Sequence, residues 1–128
     1  MLASTAAQPY QASKPAVLSK AVLRAADVLG IANITLAKIL GLSPSTISRI
    51  SAGVYLLTEG KKEWEFAVLL VRLFRSLDSI VGGNEAAAVK WLKSENKAFS
   101  GKQPVELITT AEGLVRVVTY LDAIRGIV

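Results

Sequence analysis

The sequence predicts an all-α protein, and three observations predict it. Apolar residues recur at helical spacing in one segment after another, and no stretch alternates with period two for long enough to make a strand. Gly, Pro, Ser, Asn and Thr stand where those segments begin and end.

Residues 1–14, small and polar with one proline, read as a loose arm. From Pro15 the pattern turns helical: Leu18, Ala21, Val22, Ala25 and Leu29 make one apolar face, and Gly30 ends it. Two short helical segments follow, roughly residues 35–40 and 44–52, closed by Gly53. Residues 54–62 contain Gly60 and should include a turn. Trp64, Ala67, Val68, Val71, Phe74 and Leu77 then mark a longer helix, with Leu69, Leu70 and Leu73 outside that stripe. A helix apolar nearly all round must be covered on more than one side, either as the central core helix or by a second copy of the chain.

After the Gly82-Gly83 break, Asn84 suits an N-cap and Glu85 the positive end of the helix dipole. Ala88, Trp91 and Leu92 supply that helix's buried side, with Asn96 placed to cap its end. A loop around Gly101 leads to Pro104, which is well placed to start a short helical turn. Thr109 and Glu112 have capping-box spacing, and Leu114, Val117, Val118, Leu121 and Ile124 form the stripe of the last helix.

The 128 residues fit one domain or two small helical modules sharing a core, and a hydrophobic content of 52% is far above that of a disordered chain. Cysteine and histidine are both absent. That removes disulfides, thiolate chemistry, the commonest metal ligand and the commonest general base, and with them zinc sites and Ser-His-Asp or Cys-His catalysis. No cofactor or metal is expected. Glu95, Glu106 and Glu112 are the best candidates for carboxylate chemistry, but none pairs with a second catalytic group, so they read as surface or capping residues and not as an enzyme's site.

The net charge of +5 is unevenly placed: residues 1–64 hold seven Lys/Arg against three Asp/Glu, and residues 65–128 hold eight against seven. The basic excess sits in the first half, where a nucleic-acid surface is expected. The N-terminus lacks the pattern of a signal peptide, and the longest apolar run, residues 66–71, is far too short to span a bilayer. A cytoplasmic protein without membrane contact is expected.

The most specific local signal is "NITLAKILGLSPSTISRI", residues 33–50. A helix-turn-helix needs a small residue in its first helix so that the second can cross closely, and Ala37 is there. It needs glycine at the turn for a backbone angle that other residues resist, and Gly41 supplies it. Leu36, Leu40, Leu42, Ile47 and Ile50 are the apolar anchors, and Ser43-Pro44 starts the second helix. Ser45, Thr46, Ser48 and Arg49 then fall on the open side. With Ser43 they are the candidate DNA contacts: short hydroxyls for phosphates and base edges, and one arginine for guanine. One arginine per recognition helix implies a dimer reading two half-sites.

The pairing of this motif with residues 91–128 resembles the Xre/MbcA/ParS antitoxin family. The matching features are Trp91-Leu92, Asn96, the Gly101-x-x-Pro104 loop, Leu107-Ile108, Glu112-Gly113, Val117, Leu121 and Gly126, so the resemblance covers residues 15–128. It implies an Xre/Cro-like DNA-binding half and a partner, a RES-domain toxin that consumes NAD⁺ and is neutralised by this chain. It also implies repression of the operon's own promoter. In such proteins the C-terminal end lies at the mouth of the toxin's NAD site, which makes Arg125, Gly126, Ile127 and Val128 the candidate occluding residues, with Tyr120 and Leu121 behind them. Many members carry a histidine or another polar residue beside the final glycine; here Arg125 stands there.

The expected organisation is an arm (1–14), a DNA-binding and dimerisation module (15–80) whose helix over residues 64–77 joins two copies, and a toxin-binding module (81–128). The rival is a plain helix-turn-helix regulator whose second module only dimerises or senses a ligand.

Overall fold

Ser13 opens the first helix of the computed structural model, which describes residues 13–126. Its hydroxyl accepts the Ala16 N–H over 3.3 Å, and Pro15 lies in the first turn of α1 (Lys14–Val28), where a missing N–H costs nothing. Val22, Ala25 and Leu29 are buried, as their spacing predicts. Ser19 is buried among them, and its Oγ accepts the Leu57 N–H over 3.1 Å, tying the loop before the fourth helix to α1.

Two short helices follow, α2 (Asn33–Leu40) and α3 (Pro44–Ser51), packed on each other. The long helix α4 (Lys62–Ile80) packs against α1, α2 and α5 (Glu85–Lys93), and most extensively against the last helix, α7 (Ala111–Arg125). Between α5 and α7 lie a 3-10 turn (Lys97–Phe99) and the single turn α6 (Pro104–Leu107), which begins at Pro104 as expected. Among the described residues there is no strand, only an isolated antiparallel bridge between Asn96 and Lys102.

α4 is the central core helix. Ala67, Leu70, Leu73 and Leu77 are wholly buried, and each such leucine contributes about 1.5–3 kcal/mol. The apolar excess that suggested a second copy as cover is thus met largely within the chain. Val68, expected in the buried stripe, is instead 45% exposed.

Three further expectations are corrected. The N-cap of α7 is Thr110, whose hydroxyl accepts the Gly113 N–H over 3.1 Å, while the Thr109 hydroxyl donates back to the Glu106 carbonyl over 2.8 Å. The Thr109–Glu112 capping box therefore does not form. The shift by one residue puts Gly113 where α7 crosses the end of α6, and a Cβ there would run into the Leu107 carbonyl oxygen. Asn96 does not close α5, which ends at Lys93; its Oδ1 caps the 3-10 turn by accepting the Ala98 N–H over 2.9 Å. Ile124 is not docked but 51% exposed, although Val117, two turns earlier on the same side of α7, is wholly buried; in the last turn Asp122 and Arg125 take the contacts with Ser76 of α4.

Candidate functional site

The helix-turn-helix assembles as its sequence requires. Ala37 is 2% exposed where α3 crosses α2, and Gly41 caps α2 with φ 71°, in the left-handed region that a side chain resists. Leu36, Leu40, Ile47 and Ile50 are buried, and Leu42 is half-buried.

At the start of α3 the hydroxyls form a chain. Ser43 Oγ accepts the Thr46 N–H over 3.2 Å and is hydrogen-bonded to Ser45 Oγ at 3.2 Å and to Thr46 Oγ1 at 2.9 Å. Arg49 donates to Thr46 Oγ1 over 3.1 Å, and Ser48 donates to the Pro44 carbonyl over 3.4 Å. Ser43, Ser45, Ser48 and Arg49 are exposed, but Thr46 is only 8% exposed, which corrects its placement on the open side. Its hydroxyl is the anchor that draws the Arg49 guanidinium back toward the N-terminal turn of α3. That is the part of a recognition helix from which base edges are reached.

The second half is organised around three aromatic rings. Tyr120 stacks on Trp91 with centroids 6.4 Å apart and meets the edge of buried Phe99 at 5.0 Å. The Arg116 guanidinium lies over the Phe99 ring at 5.3 Å and donates to the Ala98 carbonyl, closing the outside of the cluster. Tyr120 is half-buried and so partly accessible. Leu121 is 1% exposed, a core residue that offers a partner no surface, which corrects its inclusion among contact residues.

Arg125 is exposed but still helical, so it belongs to α7 and not to a tail beyond it. It is held by a network that the sequence reading missed. Arg125 donates to Ser76 Oγ over 3.0 Å, Ser76 donates to Asp122 Oδ1 over 2.9 Å, and Arg72 pairs with Asp122 Oδ2 at 2.6 Å. Ser76 and Asp122 are both buried. The available signal was a polar residue at stripe spacing: Asp122 stands four residues after Val118, on an otherwise apolar face. Gly126 ends the helix with φ 80° and donates to the Ala123 carbonyl. Ile127 and Val128, the remaining candidates for occlusion, lie outside the described residues.

Glu95, Glu106 and Glu112 are all exposed. The buried carboxylates are Asp122 and Glu63; Glu63 accepts the Tyr55 hydroxyl on both oxygens at 3.0 Å and the Thr58 N–H. No helix among the described residues is long and apolar enough to cross a membrane.

A helix-turn-helix joined through a shared central helix to a second helical unit, ending on an exposed arginine, defines a two-part helical binding protein. The model for the antitoxin Xre-like helix-turn-helix domain matches residues 8–72, and that for the antitoxin Xre/MbcA/ParS C-terminal toxin-binding domain matches residues 76–126. The chain belongs to the Xre/MbcA/ParS antitoxin family. Its fold is similar to that of a chain in the crystal structure of the M. tuberculosis MbcT-MbcA toxin-antitoxin complex. The TM-score is 0.64 at 23% identity, covering 88% of this chain and 97% of that one. A 43-residue stretch is 49% identical to the 6-hydroxy-3-succinoylpyridine 3-monooxygenase HspA of Pseudomonas putida (strain DSM 28022 / S16). That stretch is 34% of this chain and only 14% of the monooxygenase.

Proposed function

We propose that this antitoxin neutralises a RES-domain, NAD-degrading toxin by placing its C-terminal end, Arg125 through Val128, over the toxin's active site, and that it represses its own operon. The observation that carries the first part is the position of Arg125: a cation on the last turn of α7, exposed, immediately before the helix-ending Gly126. A guanidinium there suits charge-assisted hydrogen bonds to acceptors in a nucleotide pocket. The fold likeness to a chain from a toxin–antitoxin complex supports the same reading.

Operator DNA is read by the exposed Ser43, Ser45, Ser48 and Arg49, with Thr46 positioning Arg49 rather than touching DNA. Two copies cooperate, because one arginine per recognition helix supplies little affinity. The chain acts by binding, without catalysis, in the cytoplasm.

The test is co-expression with the neighbouring RES-type protein while cellular NAD⁺ is measured. Arg125→Ala and deletion of residues 126–128 should each restore NAD⁺ loss in chains that still fold. Full neutralisation by both variants would remove the occlusion reading. If no such toxin co-purifies with the wild-type chain, the plain regulator is left as the better account.

A further inference from the structure

An open groove of about 550 Å³ runs between α1 and α4 and reaches the last turn of α7. Its lining includes Val17 and Val68, which are 55% and 45% exposed and stand together in one groove with the partly buried Leu18, Ala21 and Trp64. Its rim carries four cations, Lys14, Arg72, Arg75 and Arg125, and no carboxylate lines it among the described residues. The only ion pair among those residues is Arg72–Asp122, so Lys14 and Arg75 are unpaired on the rim.

We propose that this groove is a second docking surface for the toxin, taking an acidic amphipathic segment of that partner. Its apolar side chains would cover Val17 and Val68, and its carboxylates would meet the rim. The proposal rests on the toxin-binding reading above and extends it onto the DNA-binding half of the chain. Two features of the groove select this occupant. A second copy seated across a two-fold axis would set the unpaired Lys14 and Arg75 of one chain against those of the other, and like charges facing each other across an interface are disfavoured. Nucleic acid would match the rim but leave the valine floor without a partner. Arg125 lines one end of the groove, so a toxin covering the C-terminal end of α7 is already in reach of it. An amphipathic segment laid into an apolar groove, and acidic motifs met by clustered cations, are both recurring modes of recognition.

The experiment is calorimetric titration of the full chain with the RES-type protein, at about 0.05 M and about 0.3 M salt, conditions that bracket physiological screening. Lys14→Glu/Arg75→Glu should weaken binding by about tenfold or more and flatten its salt dependence, because rim charges govern steering and screening. Val17→Ser/Val68→Ser should weaken it comparably with the salt dependence kept. All four side chains are exposed, and circular dichroism checks that the fold is retained. Wild-type affinity in both groove variants, with binding lost only on removing residues 126–128, would sink the groove and leave the C-terminal reading intact. No binding by the wild-type chain would sink both. A change in the mass of the free chain by light scattering, or in DNA affinity, with toxin affinity untouched, would assign the groove to a second copy or to DNA and overturn the proposal.

Discussion

Arg125, on the last turn of α7, donates a hydrogen bond across 3.0 Å to the Ser76 hydroxyl of α4, and Ser76 passes its own proton donation to Asp122 across 2.9 Å. The residue proposed to face the toxin is therefore also fastened to the central helix. This contact defines where the guanidinium starts from before any partner arrives.

Ser76→Ala should lower stability by about 1–3 kcal/mol, since it strips a buried carboxylate of one donor. Asp122→Ala should cost about as much, and not the larger amount typical of breaking a fully buried ion pair, because Arg72 is 53% exposed and can turn to water. Urea unfolding of both variants checks this. A Ser76→Ala chain within about 0.5 kcal/mol of wild type would mean that the network orients Arg125 without stabilising the fold.

Gly113→Ala should destabilise even though alanine is the better helix former. The new Cβ meets the Leu107 backbone carbonyl, which cannot move aside like a side chain, so a loss of about 3 kcal/mol or more is expected. Gly41→Ala fails for a different reason: there is space around it, but φ 71° costs a side chain about 1–2 kcal/mol. Thermal melts of the two variants should rank them in that order. A more stable Gly113→Ala chain would show that α7 can slide off α6.

Arg49→Ala should weaken operator binding by about 1–3 kcal/mol and relax sequence preference at one position of each half-site. Ser45→Ala should have a smaller effect. Thr46→Val keeps the buried shape but removes the acceptor for Arg49, so it should lose part of the Arg49 effect with little change in fold. Gel-shift titrations at fixed salt measure all three; equal binding by Arg49→Ala and wild type would exclude α3 as the reading helix.

Tyr55→Phe probes the other buried carboxylate. It removes a donor held by both oxygens of Glu63 and should cost about 1–3 kcal/mol near neutral pH. Burial first, and then the hydrogen bond to Glu63, push the Tyr55 hydroxyl above its ordinary 10.0. The folded state thus binds this proton more tightly than the unfolded one. Its contribution is fully present below pH 10.0 and is lost as pH rises through the higher folded value. The wild-type chain should therefore lose stability in alkaline denaturation more steeply than Tyr55→Phe.

Much of the protein is legible in the residues themselves, because the relevant physics is local. Helical periodicity places α1, α4 and α7; Ser43 and Asn84 both cap where a side-chain oxygen can reach an N–H three residues on. The small residue, the turn glycine and the anchors of the helix-turn-helix are tied by short-range geometry, and the motif from Trp91 to Gly126 points to the family. Thr109 and Thr110 show where locality ends. Both are good caps, and the choice falls to Thr110 because Gly113 must meet the Leu107 carbonyl.

The sequence by itself thus determined the all-α class, the helix-turn-helix and the antitoxin family. Only the tertiary structure decided which polar residues turn inward. Thr46 is buried to hold Arg49, and Asp122 and Arg125 lie against Ser76, while Ile124 points outward. The physical reason is that a helix presents several faces, and its own residues set their polarity; which face is covered depends on the neighbour packed against it. For α7 that neighbour is α4, distant in sequence, and its buried serine draws in an aspartate and an arginine where periodicity had placed an isoleucine.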